Sequence, residues 1–166
     1  MKLFAIYIGG EHEAANIEIH DVRFAVAASI KDTYDQLRAE WWGKPGTLHI
    51  DCWAEISHAD GYEVSLSPEP SRTAEKLYFV NLGGYAPGDF AEQHRNMFVV
   101  AATVTEAKAR AMQSIAGWKD AHRDDFYDAE KAFALDSVVS GGLHIHLTRA
   151  EQAKEPRFTC RYVPLK

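Results

Sequence analysis

The sequence predicts an α+β fold in which two copies of a β-β-α-β-β unit pack with pseudo-two-fold symmetry, and three observations predict it. Residues 2–10, KLFAIYIGG, match residues 76–84, KLYFVNLGG, at an offset of 74, and the same offset sets AVAAS (25–29) against VVAAT (99–103). Within each half, short apolar runs of strand length flank a stretch of helical period. A unit of about 70 residues buries little core alone, so two copies in one chain are expected to share one.

The elements follow in order. Leu3 to Ile8 and Leu77 to Leu82 are continuous apolar runs, which suits a first strand buried on both faces. Each run is closed by a glycine pair, Gly9-Gly10 and Gly83-Gly84, read as a tight turn because neither pair carries the G-x-G-x-x-G pattern or opens a helix. His20 and His94 come ten residues later, just before DVRFAVAAS and NMFVVAAT, whose β-branched and aromatic residues mark the second strand. Ile30, Tyr34, Leu37 and Trp41 then form one stripe of an amphipathic helix. Ser29 with Asp32, and Thr103 with Glu106 in the second copy, read as capping boxes. Gly43 and Gly117 are expected to end the two helices in the left-handed conformation.

TLHIDCWAEI (47–56) alternates as a third strand, with Leu48, Ile50, Cys52, Ala54 and Ile56 on the apolar face and His49, Asp51, Trp53 and Glu55 on the polar one. GYEVSLS (61–67) is the fourth. In the second copy the offset is lost after Asp125, where FYDAEKAFALDS reads as an insertion, and it returns as 81, setting GLHIHLT (142–148) against GYEVSLS. The chain therefore divides into a first unit over 1–67, a Pro-rich linker over 68–75, a second unit over 76–148 and a C-terminal extension over 149–166. EPRFTCRYV in the extension has strand character and suits a sheet edge.

A net charge of -6 and 46% hydrophobic residues describe a globular chain with no electrostatic footprint for nucleic acid. The N-terminal apolar run is too short for a membrane span and lacks the pattern of a secretory signal. Cys52 and Cys160 are expected as free thiols in a reducing compartment, which makes the cytoplasm the expected location.

Four sets of residues are candidates for chemistry. His144 and His146 share one face of a strand, a spacing that presents two ligands to zinc; His94 or His122 and Asp124 or Asp125 are the candidates to complete such a site. The first copy has Glu63 and Ser65 at these positions, so the two histidines equally suit the polar face of a half-buried strand. His20 and His94 either fix the glycine loops or face a shared cleft as a related pair. Trp53 with His49 and Asp51, and with Trp42 and Trp118 nearby in type, suits a ligand-recognition surface, or else a second layer of core between the copies. Cys52 reads as a small hydrophobe and not as a nucleophile.

The segments LYFVNLGGYAPGDFAEQH, NIEIHDVRF and HIHLT resemble the bacterial family named domain of unknown function 1543, over residues 2 to about 148. The resemblance implies a fold grouping and a bacterial origin, with no activity attached. Two functions are expected from different classes. The first is a binding or interaction module holding a small molecule, a peptide or another protein between the copies, with edge-strand pairing as a route to a homodimer. The alternative is a metal-dependent, hydrolase-like enzyme built on the second copy's histidines.

Overall fold

The computed structural model describes residues 1–84, 88, 90–114 and 131–166. Its architecture is α+β, with every strand pairing antiparallel. Strands β1 (Lys2–Gly10), β2 (Ile19–Ala27), β3 (His49–Glu55) and β10 (Thr159–Pro164) form a sheet in the order β10-β3-β1-β2. The C-terminal extension thus adds to a sheet edge. β6 (Lys76–Gly84) lies between β7 (Gln93–Ala101) and β8 (Lys131–Ala134), and β4 (His58–Ala59), β5 (Tyr62–Ser67) and β9 (His144–Arg149) make a third, smaller sheet.

The two larger sheets face each other. Leu3, Ala5 and Phe24 of the first meet Leu77, Phe79 and Val100 of the second, and Val64, Ile145 and Leu147 of the third sheet close the end of the layer. At its centre Phe24 packs edge-on against Phe79 and Phe133, with ring centroids 5.1 and 5.8 Å away, the geometry that the aromatic quadrupole favours. Helices cover the outer faces. α1 (Tyr34–Glu40), entered through a 3-10 turn at Ile30–Thr33, buries Leu37 on Phe4, Ile6 and Ile50, and α2 (Val104–Ser114) lays Ala107 and Ala111 on Val80 and Leu82. β1 and β6 are therefore covered on both sides along most of their length, with Tyr7 and Asn81 left facing the space between the sheets.

The caps form as the sequence indicates. The Asp32 carboxylate accepts from the Ser29 N–H at 2.9 Å, while the Glu106 N–H donates to the Thr103 hydroxyl at 3.2 Å. The Asp60-Gly61 pair, both with positive φ, closes a two-residue hairpin between β4 and β5.

Four expectations are corrected by the backbone. The glycine pairs are the last residues of their strands and not turns: Gly9 stands opposite His20 and Gly83 opposite His94. His20 and His94 consequently lie inside β2 and β7 and not before them. Gly43 has no positive φ; it is small because a Cβ there would come within 2.6 Å of the Glu11 carbonyl and closer still to the Trp41 ring. Gly117 lies outside the described residues. Part of the segment read as an insertion is a strand, β8, which sets Phe133 opposite Phe79 as β3 sets Ala54 opposite Ala5. Its short KAFA run is too brief to declare a period of its own.

The fourth correction concerns β3. Cys52 stands opposite Tyr7 but Ile50 stands opposite Ile8, so Asp51 is an extra residue, a β-bulge. Because side chains alternate with period two, one extra residue exchanges the faces on either side of it. Ala54 and Ile56 face the inter-sheet core, whereas Leu48 and Ile50 face α1, and His49 turns inward to become 3% exposed.

Candidate functional site

The candidate site grows out of that bulge and out of Gly9. Side chains of β2 at His20, Val22, Phe24 and Val26 share the inter-sheet face, as do those of Leu3, Ala5 and Tyr7 on β1. Gly9, next in that row, has no side chain. A Cβ on it would lie 2.7 Å from His49 Nε2 and 2.9 Å from His20 Cδ2, so the two imidazoles occupy the space that any other residue would fill. The Asp51 bulge then swings a carboxylate onto the same face.

Four side chains converge there. His49 Nε2 is 3.2 Å from Glu18 Oε1 and 3.4 Å from Asp51 Oδ1, and His20 Nε2 is 3.5 Å from Glu18 Oε2 and 3.6 Å from Asp51 Oδ2. His49 Nδ1 lies 3.1 Å from the Thr47 carbonyl, which can only accept; Nδ1 therefore carries the proton, and in the neutral ring Nε2 presents its lone pair to the carboxylates. Asp51 Oδ2 is buried without a hydrogen-bond partner. Tyr7 stacks on His20 at 5.3 Å and is itself partly exposed, and the Tyr162 ring of β10 lies 4.5 Å from that of His49. Burial first, and then the Asp51 and Asp21 carboxylates, raise the Tyr7 phenol above its ordinary range.

Beside this cluster a cleft of about 940 Å³ opens between the sheets, and its lining includes Tyr7, His20, Asn81, His94, Asn96 and Lys131 above the rings of Phe24, Phe79, Phe98 and Phe133. His20 and His94 thus line one space. Glu92 Oε2 is 3.8 Å from His94 Nε2, a looser version of the Glu18–His20 pair.

The other candidates fall apart in space. Trp53 does not join His49: it lies beyond the bulge, on the α1 side of the sheet, packed against the cluster around Leu37. His144 and His146 alternate with buried Ile145 and Leu147, opposite Ser67 and Ser65 of β5. His146 Nε2 is engaged at 2.7 Å with the Glu69 carbonyl. Among the described residues, the group of three or more donors that can hold a metal ion is Glu18, His20 and His49, whose ligand atoms lie within 4.8 Å of one another; it includes neither His144 nor His146. His122, Asp124, Asp125 and Trp118 lie outside the described residues. Cys52 and Cys160, both free thiols, approach to 2.6 Å between β3 and β10, and burial together with the Cys160 hydrogen bond pushes the Cys52 thiol up to about 12.

Sequence reasoning passed over Glu18 and undervalued Asp51. The signal was present as E-I-H at 18–20 and H-I-D at 49–51, two pairs with the same one-residue spacing as H-I-H at 144–146. Nothing in the linear order joins the two pairs. They meet because β2 and β3 flank β1 on either side, at Gly9.

Among the described residues no helix is long and apolar enough to cross a membrane. No curated protein matches the chain. The fold is similar to the crystal structure of protein Il1583 from Idiomarina loihiensis, with a TM-score of 0.71 and 29% identity over 99% of this chain and 98% of that one. Residues 15–66 match the family model described as Domain of Unknown Function (DUF1543), a segment that holds Glu18, His20, His49 and Asp51. That match supports, over the segment, the family that the sequence resembles.

Proposed function

We propose that the protein is a binding module whose ligand is a small molecule held in the cleft between its two units. One observation carries this reading: His20 and His94, which stand opposite Gly9 and Gly83 at matching places in β1–β2 and β6–β7, line the same cleft. Its volume of about 940 Å³ is in the range of small-molecule sites, roughly 300–1,000 Å³. Four phenylalanine rings below and imidazole, amide and ammonium groups above suit a molecule with a flat apolar body and acceptor groups along one edge.

The reading treats the units as copies packed about a pseudo-two-fold axis. The β1–β2 and β6–β7 ladders support it, since Lys2 faces Ala27 and Lys76 faces Ala101 in the same register. So does the third sheet, where Ser65 pairs with His146 and the pairs on either side are Val64 with Leu147 and Leu66 with Ile145. Positions matched at the offset of 81 thus exchange partners about one central pair, as an isologous contact does.

Saturation-transfer NMR with a set of small aromatic carboxylates and amides tests the proposal, comparing the wild type with Asn81→Trp. Asn81 faces the cleft on a strand that accepts an aromatic residue, so the substitution fills the space and leaves the fold intact. Ligands of the wild type are expected to be lost in Asn81→Trp at unchanged melting temperature. Ligands that bind both proteins alike, or a set with no binder at millimolar concentration, would remove the cleft as the binding site.

A further inference from the structure

We propose that Glu18, His20, His49 and Asp51 form a binding site for a divalent first-row transition metal of the zinc class, at the wall of the cleft but independent of what the cleft holds. The donor set is two imidazoles and two carboxylates, which suits zinc, cobalt or nickel; calcium and magnesium take oxygen-dominated shells. The spacing fits as well. Around a tetrahedral ion with ligands at about 2.0–2.1 Å, neighbouring donors stand about 3.3–3.4 Å apart. The four nitrogen–oxygen separations in the cluster run from 3.2 to 3.6 Å, each imidazole meeting a different oxygen of each carboxylate, and Glu18, His20 and His49 offer one ligand atom apiece within 4.8 Å of one another, with Asp51 beside them.

Three further features belong to a site prepared for a cation. The His49 Nδ1 contact with the Thr47 carbonyl is the outer-shell contact that orients a ligating imidazole and leaves Nε2 as the donor atom. His49 is 3% exposed and its Nε2 faces two carboxylates, an arrangement that calls for a positive charge there, carried either by a bound ion or by a second proton on the ring. The buried Asp51 Oδ2, without a hydrogen-bond partner, lies 3.6 Å from His20 Nε2. Gly9 and the bulge at Asp51 both serve the convergence. The partial exposure of Glu18, His20 and Asp51 leaves an open path for the ion.

The test is metal titration of the chelator-treated, untagged full chain with zinc by calorimetry, and with cobalt by its visible d–d absorption. The wild type is expected to take one equivalent, give the absorption of a four-coordinate cobalt site, and melt at a higher temperature with zinc than without. Glu18→Gln, His20→Gln and His49→Gln should each weaken binding by more than about tenfold, while the His144→Ala/His146→Ala double variant binds as the wild type does. His49 is buried, so its variant is judged by its circular dichroism and melting without metal; Glu18 and His20 are partly exposed and carry the test if His49→Gln fails to fold. The proposal is overturned by a wild type that takes up no equivalent of zinc or cobalt, and equally by Glu18→Gln and His20→Gln variants that bind undiminished. Loss of binding in the His144/His146 variant alone would place the metal on β9 and overturn it too.

Discussion

Replacing Gly9 with alanine puts a methyl group where two imidazoles already stand. The added Cβ would lie 2.7 Å from His49 Nε2 and 2.9 Å from His20 Cδ2, against ordinary contacts of about 3.4 Å or more, so at least one ring has to move by more than half an ångström. The two rings are not equally free. His49 is 3% exposed, held through Nδ1 by Thr47 and covered by Tyr162, whereas the His20 side chain is 35% exposed and is held by stacking on Tyr7. His20 therefore swings outward, and the residual clash with His49 strains β1 against β3. Overpacking of this kind costs about 1–3 kcal/mol, which in a domain of this size lowers the melting temperature by about 2–4 °C per kcal/mol. Circular-dichroism melts without metal, and the ring resonances of the two histidines by NMR, measure both effects. In the Gly9→Ala background His49→Ala should recover most of the loss and His20→Ala little, since only the buried ring resists displacement. A Gly9→Ala protein that melts with the wild type and keeps both histidine resonances in place would refute the claim that Gly9 exists to make room for them.

Other expectations concern the frame around the site. Asp60 ties the β4–β5 hairpin to β7 and α2 by accepting the Val100 N–H at 2.7 Å and pairing with Arg110 at 2.8 Å. Asp60→Ala leaves a half-buried edge-strand donor without its partner and should destabilise by about 1–3 kcal/mol in urea melts, whereas Arg110→Met, which removes a half-exposed ion pair but also a bond to the Val100 carbonyl, should cost less; equal losses would refute the ordering. Leu37→Ala opens a cavity beneath α1 at a fully buried position and is expected to cost about 2–5 kcal/mol, and a loss below 1 kcal/mol would contradict the packing. With its pKa raised to about 12, Cys52 holds little thiolate at neutral or mildly alkaline pH, so iodoacetamide should modify it slowly. Cys160→Ala removes the hydrogen bond but not the burial, and should bring the onset of Cys52 alkylation to lower pH by mass spectrometry; an unchanged profile would assign the whole shift to burial.

Much of the frame was legible because it depends on local pattern. The continuous apolar runs of β1 and β6, the Ile30–Tyr34–Leu37–Trp41 stripe, both caps and the strand character of the C-terminal extension each follow from residues close together in sequence. β8 was missed because four residues inside an alanine-rich stretch carry no decisive period, and its strand state comes from pairing with β6.

By itself, then, the sequence determined the α+β class, the strands and helices of strong period, and the spacing of the E-x-H and H-x-D pairs. Only the tertiary structure decided which pairs meet. A bulge is invisible to a period-two reading, since it consists of one residue whose partner strand has none to match it; at Asp51 it turned an apparently polar strand face into a buried His49 and sent Trp53 to the other side. The glycine pair likewise reads as a turn until its neighbours are known. Placed between β2 and β3, Gly9 is the empty position across which Glu18 and His20 reach His49 and Asp51, a juxtaposition set by strand order and register and written nowhere in the linear chain.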